Sequence, residues 1–168
     1  MIDISIGAEE VTKAKEIIQQ FDNVKTYNKF KCKNNYIGLL GEMVLHRFLK
    51  EHKVTHEWVD FIKDKRKYKD NIFSYPDFII DNTTYDLKTT RSNSMWFQEP
   101  IHDIYIYANI DMFDTTLTLS SYDTFDDLVL AINTGVAKVV KRKNRKDYVI
   151  HPSDMTPIEK LIKEVRTW

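Results

Sequence analysis

Two acids and an ammonium, Asp77, Asp86 and Lys88, fall in one short stretch, Ser74 to Thr90 (SYPDFIIDNTTYDLKTT). Brought to one point, two carboxylates and a lysine suit a hard divalent cation and an attacking water. Two apolar, β-branched runs joined by an Asp-Asn turn signal predict a β-hairpin over this stretch. That hairpin puts Asp77 at the start of its first strand and Asp86 and Lys88 on its second. Strand side chains alternate, so Asp86 and Lys88 share one face while Tyr85 and Leu87 share the other. Singly, each residue has an ordinary reading: Asp is common at turns, and Lys blunts exposed strand edges.

A third acid, Glu42, lies within an apolar helix, in GLLGEMVLH from Gly38 to His46. A carboxylate beside a buried stripe is costly unless paired or bound to a cation. Its plain alternative is a narrow polar face turned to solvent. Gly38 and Gly41 weaken the helix, so both are expected to serve close packing or backbone approach.

The elements that must position these residues follow from hydrophobic period. Ala8 to Phe21 predicts a helix, Asp22 to Lys33 a polar loop, and Asn34 to Lys50 a second helix with the stripe Ile37, Leu40, Val44 and Phe48. Glu57 to Ile62 predicts a first strand, Phe78 to Ile80 and Thr84 to Thr89 the hairpin, Asp103 to Ile110 a buried fourth strand and Thr115 to Leu119 a fifth. Thr124 to Asn133 reads as a helix capped by Thr124, with Asp126 and Asp127 in its first turn and Gly135 as its stop. Val136 to Val140 and Tyr148 to Ile150 predict a hairpin around a basic loop. Pro157 is expected in the first turn of a final helix reaching about Arg166. This order predicts an α/β fold, a central mixed β-sheet flanked by helices.

Pro76-Asp77 opening one strand, Asp86-x-Lys88 on the next and Gly41-Glu42 on the preceding helix resemble the signature of the PD-(D/E)xK (restriction-endonuclease-like) nuclease superfamily. The match spans roughly residues 36 to 90. The resemblance implies an αβββαβ core, a single domain over 1–168, and metal-dependent hydrolysis of DNA phosphodiesters by an endonuclease. It implies Mg²⁺, with Mn²⁺ as a substitute, held by Asp77 and Asp86, by the Leu87 backbone carbonyl, and by Glu42 directly or through water. Lys88 would orient the attacking water or stabilise charge in the transition state. Carboxylates nearby oppose the fall in pKa that a lysine base requires, which favours orientation and charge stabilisation. A homodimer would account for double-strand cleavage. Two alternatives stand beside this reading: a catalytically inactive nucleic-acid-binding protein on the same fold, and an RNA-directed nuclease.

Further candidates surround this core. Thr90 shares the Lys88 face if the strand continues, and Arg91 is either a phosphate clamp or a surface charge. Trp96 and Phe97, read in the next loop, either stack on or wedge between bases or serve as core or lid packing. Lys63, Lys65, Arg66, Lys67 and Lys69 precede the hairpin, and Lys138, Lys141, Arg142, Lys143, Arg145 and Lys146 cluster near the C-terminus. Two such segments make a phosphate-binding face or two solvated loops.

Composition bounds the rest. The chain has 168 residues, 42% hydrophobic and 30% charged, which suits one compact domain. Its formal net charge of zero weighs mildly against a nucleic-acid partner. One cysteine, Cys32, excludes an intramolecular disulfide framework and a cysteine-rich zinc site, and makes an intracellular protein the simplest reading. The N-terminus carries no basic-then-apolar secretory pattern, and no apolar run approaches the ~18 residues of a membrane span. His46 shares the Glu42 helix face, and His52, His56, His102 and His151 show no metal-ligand spacing with cysteine. No Gly-rich phosphate loop or nucleophile elbow speaks for a small-molecule α/β enzyme.

Overall fold

The computed structural model describes residues 1–22, 29–59, 75–142 and 145–165. Its elements in order are β1 (Ile2–Ser5), α1 (Ala8–Asp22), α2 (Lys29–Glu51), β2 (Glu57–Trp58), β3 (Phe78–Ile80), β4 (Thr83–Thr90), β5 (Met95–Phe97), β6 (Ile104–Ile110), β7 (Thr116–Thr124), α3 (Phe125–Thr134), β8 (Lys138–Arg142), β9 (Arg145–Ile150), β10 (Thr156–Pro157) and α4 (Ile158–Val165). Seven strands form a mixed sheet in the order β1-β7-β6-β4-β3-β2, with β10 also pairing along β7. Three more form a small sheet, β5-β9-β8. The architecture is α/β, a curled mixed sheet flanked by helices.

Alternation along the central strands makes two cores. Tyr85 and Leu87 of β4 and Ile106 and Ala108 of β6 join Leu40 and Val44 of α2 and Ile158 and Leu161 of α4 on one face. Tyr105 and Tyr107 of β6 turn to the other face. There they meet Leu128 and Ala131 of α3 and Met95, Phe97 and Ile150 of the small sheet. Because β4 and β6 run parallel, their connection must cross over, and β5 lies within it.

Several boundaries differ from the sequence expectation. Helix α2 begins at Lys29, inside the stretch read as a loop, because lysine is a good helix former whatever its polarity. Strand β2 is described only over Glu57–Trp58, and the rest of the expected strand lies outside the described residues. Met95–Phe97 is a strand, not a loop: it pairs with β9, a partner too distant for local pattern to reveal. Strand β1, whose Ile-Asp-Ile-Ser alternates cleanly, completes the edge along β7 and was not anticipated. Strand β7 runs on to Thr124 with an irregular register opposite Tyr107 and Ala108. Pro157 ends β10 one residue ahead of α4, rather than sitting in its first turn.

Local chemistry accounts for the elements that match. Asp81 and Asn82 take positive φ of 47° and 63°, the pair of left-handed residues a two-residue hairpin turn requires. Thr124 and Asp127 make a reciprocal capping box at α3, and Gly135, at φ 79°, ends that helix in the left-handed region.

Candidate active site

Strand β4 runs on past its partner β3, and the candidate residues gather at that point. The ladder pairs Phe78 with Tyr85, Ile79 with Thr84 and Ile80 with Thr83, leaving Asp86 to Thr90 paired in register with β6. One more backbone bond, Asp77 N–H to the Tyr85 carbonyl at 2.9 Å, closes the pairing. The Asp77 side chain then replaces the missing strand: its Oδ2 accepts the Leu87 N–H at 2.7 Å. Alternate residues address the same neighbour, so the Leu87 carbonyl faces this edge as well.

Across the sheet from α2, Lys88 donates to Asp86, with Nζ 2.7 Å from Oδ1 and 2.5 Å from Oδ2. Asp86 is buried, and Lys88 lies 6.0 Å from the centre of the Tyr105 ring. The shared face expected for Asp86 and Lys88 is therefore present.

Glu42 arrives from the other layer. Gly41 makes this possible: a Cβ there would stand 2.1 Å from Thr89 Oγ1, so only glycine lets α2 come this close to β4. Gly38, expected to do the same, has nothing within 4 Å of such a Cβ and serves no close approach. Glu42 is half-buried, and its Oε2 accepts the Trp58 indole N–H at 3.3 Å. The Trp58 ring lies 4.5 Å from that of His46, which in turn meets His56 with 2.8 Å between Nδ1 and Nε2.

These groups shape one another's charge. The proton affinity of Asp77 is raised well above the carboxylate range by burial, then by Glu42 and by Asp86; Lys88 and the Leu87 N–H pull it back only in part. For Lys88, burial pulls the pKa down, but Asp86 and Asp77 outweigh it and hold the group above its ordinary value. Lys88 is therefore an ammonium at neutral pH, a donor and a positive charge rather than a resting base. Burial lowers the pKa of His102, with Asp86 opposing and Lys88 reinforcing that shift, which leaves a neutral imidazole beside the pair.

The outer candidates are placed less simply. Thr90 does share the Lys88 face, and its hydroxyl meets Ser92 at 2.9 Å. Arg91 is engaged with Asp114, which also accepts the Tyr36 hydroxyl at 2.9 Å. Lys141 and Arg142 lie exposed on β8. Arg145 stands opposite Arg142 in the ladder. Lys143 and the cluster Lys63, Lys65, Arg66, Lys67 and Lys69 lie outside the described residues.

Sequence reasoning missed Trp58, Tyr105 and His102 as neighbours of the site. Nothing in their local pattern marks them. Trp58 sits on a two-residue strand, and His102 precedes β6 in the crossover from β4. A separate apolar cavity of about 330 Å³ lies on the α2 and α4 side, behind Phe78 and Tyr85. It has no acid in its lining and is not this site.

Among the described residues, no group of three or more His, Cys, Asp or Glu side chains is arranged to hold a metal ion, and no helix is long and apolar enough to cross a membrane. No family model, curated protein or solved structure matches this chain.

Proposed function

We propose that this protein is a metal-dependent nuclease of the PD-(D/E)xK type that cleaves DNA, built on a restriction-endonuclease-like core. The observation that carries the reading is the gathering at one edge of β4: Asp77 accepts the Leu87 N–H, Lys88 donates to the buried Asp86, and α2 brings Glu42 close, with the proton affinity of Asp77 raised first by burial and then by Glu42 and Asp86. Three acids against Lys88 leave the cluster short of positive charge. A divalent cation is the natural complement, and Mg²⁺ ordinarily takes only one or two carboxylates, with water and phosphate filling the rest. Asp77 and Asp86 fit that donor set without a three-residue cage. The Leu87 carbonyl faces the same edge, and Glu42, held from the opposite layer, fits a contact through water.

The bound ion would neutralise phosphate charge and acidify a water. The chain's own part is to hold acids, ammonium and backbone in place beforehand. Lys88 keeps its proton, so it presents positive charge and N–H donors to the scissile phosphate and orients the water that attacks it. Asp86 holds the Lys88 ammonium, and Asp77 secures the edge of β4 beyond β3 through Leu87.

The test is incubation of the purified chain with supercoiled plasmid and with single-stranded DNA in Mg²⁺, Mn²⁺ or EDTA, beside Asp86→Ala. Cleavage that needs metal and is lost in the variant is expected. A second reading, a binding protein without catalysis, draws on the closed Asp86–Lys88 pair; it requires DNA binding that ignores both metal and Asp77→Ala. Cleavage of structured RNA alone would move the assignment to an RNA-directed nuclease.

A further inference from the structure

Strand β5 sends Met95 and Phe97 into the second core, and Trp96 between them points outward and stays 44% exposed. The small sheet continues that outer face: Trp96 is in register with Val149, and Val149 with Lys138. Arg142, on the same face of β8, lays its guanidinium 5.5 Å from the centre of the Trp96 ring. Its Nε stands 2.5 Å from Asp147 Oδ2. Two strands and a helix separate Trp96 from β8 in sequence, yet a flat aromatic ring and a flat cation meet on the solvent side of one sheet.

In sequence the segment that holds Arg142 is basic. From Lys138 to Ile150 the chain carries six lysines and arginines against one acid, Asp147, which Arg142 already engages; of these, Lys138 and Arg142 share the face of Trp96. On a chain of zero net charge this surplus is local. Indole and guanidinium both stack on nucleobase faces. A duplex hides those faces and offers only base edges, whereas a single strand exposes them.

We propose that the outer face of β5-β9-β8 is a stacking platform for single-stranded DNA, with unpaired bases against Trp96 and Arg142 and phosphates toward Lys138 on the same face. The proposal deepens the nuclease reading and rests on it for DNA as the polymer. It gives the enzyme a preference for substrates with a single-stranded arm.

The test titrates the full chain, in EDTA, into fluorescein-labelled oligo(dT) and into a blunt duplex, read by anisotropy. Tighter binding of oligo(dT) is expected, with Trp96→Ala and Arg142→Ala each weakening it by about tenfold. Arg142→Lys should behave like Arg142→Ala, since it keeps the charge and loses the stacking plane, while Trp96→Phe should keep most of the affinity. Wild-type affinity in both alanine variants, with melting temperatures showing them folded, overturns the platform. So does self-association that Trp96→Ala abolishes while oligo(dT) binding ignores Trp96, because the face then joins two copies. Asp86→Ala separates the two claims. Absence of metal-dependent cleavage with Trp96-dependent binding intact removes the nuclease and leaves the platform; cleavage lost in Asp86→Ala with Trp96-indifferent binding does the reverse.

Discussion

Asp86 and Asp123 flank Tyr105 from either side, in register with it across β4, β6 and β7, and both are buried. On the β7 side the surroundings are those of a structural acid. Asp123 Oδ1 accepts the Thr156 N–H at 3.1 Å, and its pKa is pushed up to about 6, first by burial, with Asp127 adding and Thr156 opposing. On the β4 side burial acts too, but Asp77 feels Glu42 and Asp86 as well, and Lys88 sits among them. Burial alone therefore does not mark a site. What distinguishes the β4 side is the ammonium of Lys88 set among three acids, Glu42, Asp77 and Asp86, where Asp123, among the described residues, has only the charge of Asp127 beside it, and such a constellation is the better candidate for a site.

The sharpest way to break this contrast is to remove the charges on the β4 side. Lys88→Ala and Asp86→Ala should each lower cleavage by at least about a hundredfold while binding persists; retained turnover in a plasmid assay ends the role given to Lys88. Asp77→Asn should also abolish cleavage, yet raise the melting temperature at neutral pH without metal. The sign follows from its raised pKa: the protonated form favours the fold, so this stability is whole below the ordinary carboxylate range and is lost as pH rises through the higher folded value. Added Mg²⁺ should raise the melting temperature of the native chain and not of Asp77→Asn.

On the β7 side, Asp123→Asn should leave cleavage unchanged and stabilise by up to ~3 kcal/mol at pH 7. The native acid loses its favourable contribution as pH rises from 3.8 through about 6, so the gain should vanish in melts at lower pH. An Asp123 variant that loses cleavage would erase the distinction between the two acids.

The approach of α2 to β4 gives a subtler test. Gly41→Ala should cost ~1–3 kcal/mol and impair cleavage by displacing Glu42, and adding Thr89→Ala, which removes the nearest clashing atom, should recover part of both. Gly38→Ala, on open space, should instead stabilise by ~0.5–1 kcal/mol, as helix propensity alone predicts. Smallest is Thr124→Ala, which removes the α3 cap for ~1 kcal/mol and should leave cleavage untouched.

Much of this was legible in the chain where the physics is local. A two-residue turn needs left-handed backbone, and Asp81-Asn82 tolerates it; alternation then placed Asp86 and Lys88 on one face without any knowledge of what lies opposite. The Thr124 cap and the Gly135 stop are likewise decided within a few residues. Gly41 could be read as a close approach, but the same reading failed at Gly38, since sequence does not say which helix face meets a strand.

What lay beyond the sequence depends on residues distant along the chain. Strand β1 had to find β7, and β5 had to find β9, before Met95–Phe97 could be a strand at all. Glu42 reaches the electrostatic neighbourhood of Asp77 only because α2 rests on Thr89. The proton affinity of Asp77 is a sum over burial and charges from two layers, and the meeting of Trp96 with Arg142 is a contact across a sheet. Local backbone preference writes the hairpin and its faces into the sequence. Desolvation and Coulomb interaction act through space, so only the tertiary structure decided which of its charges would gather there.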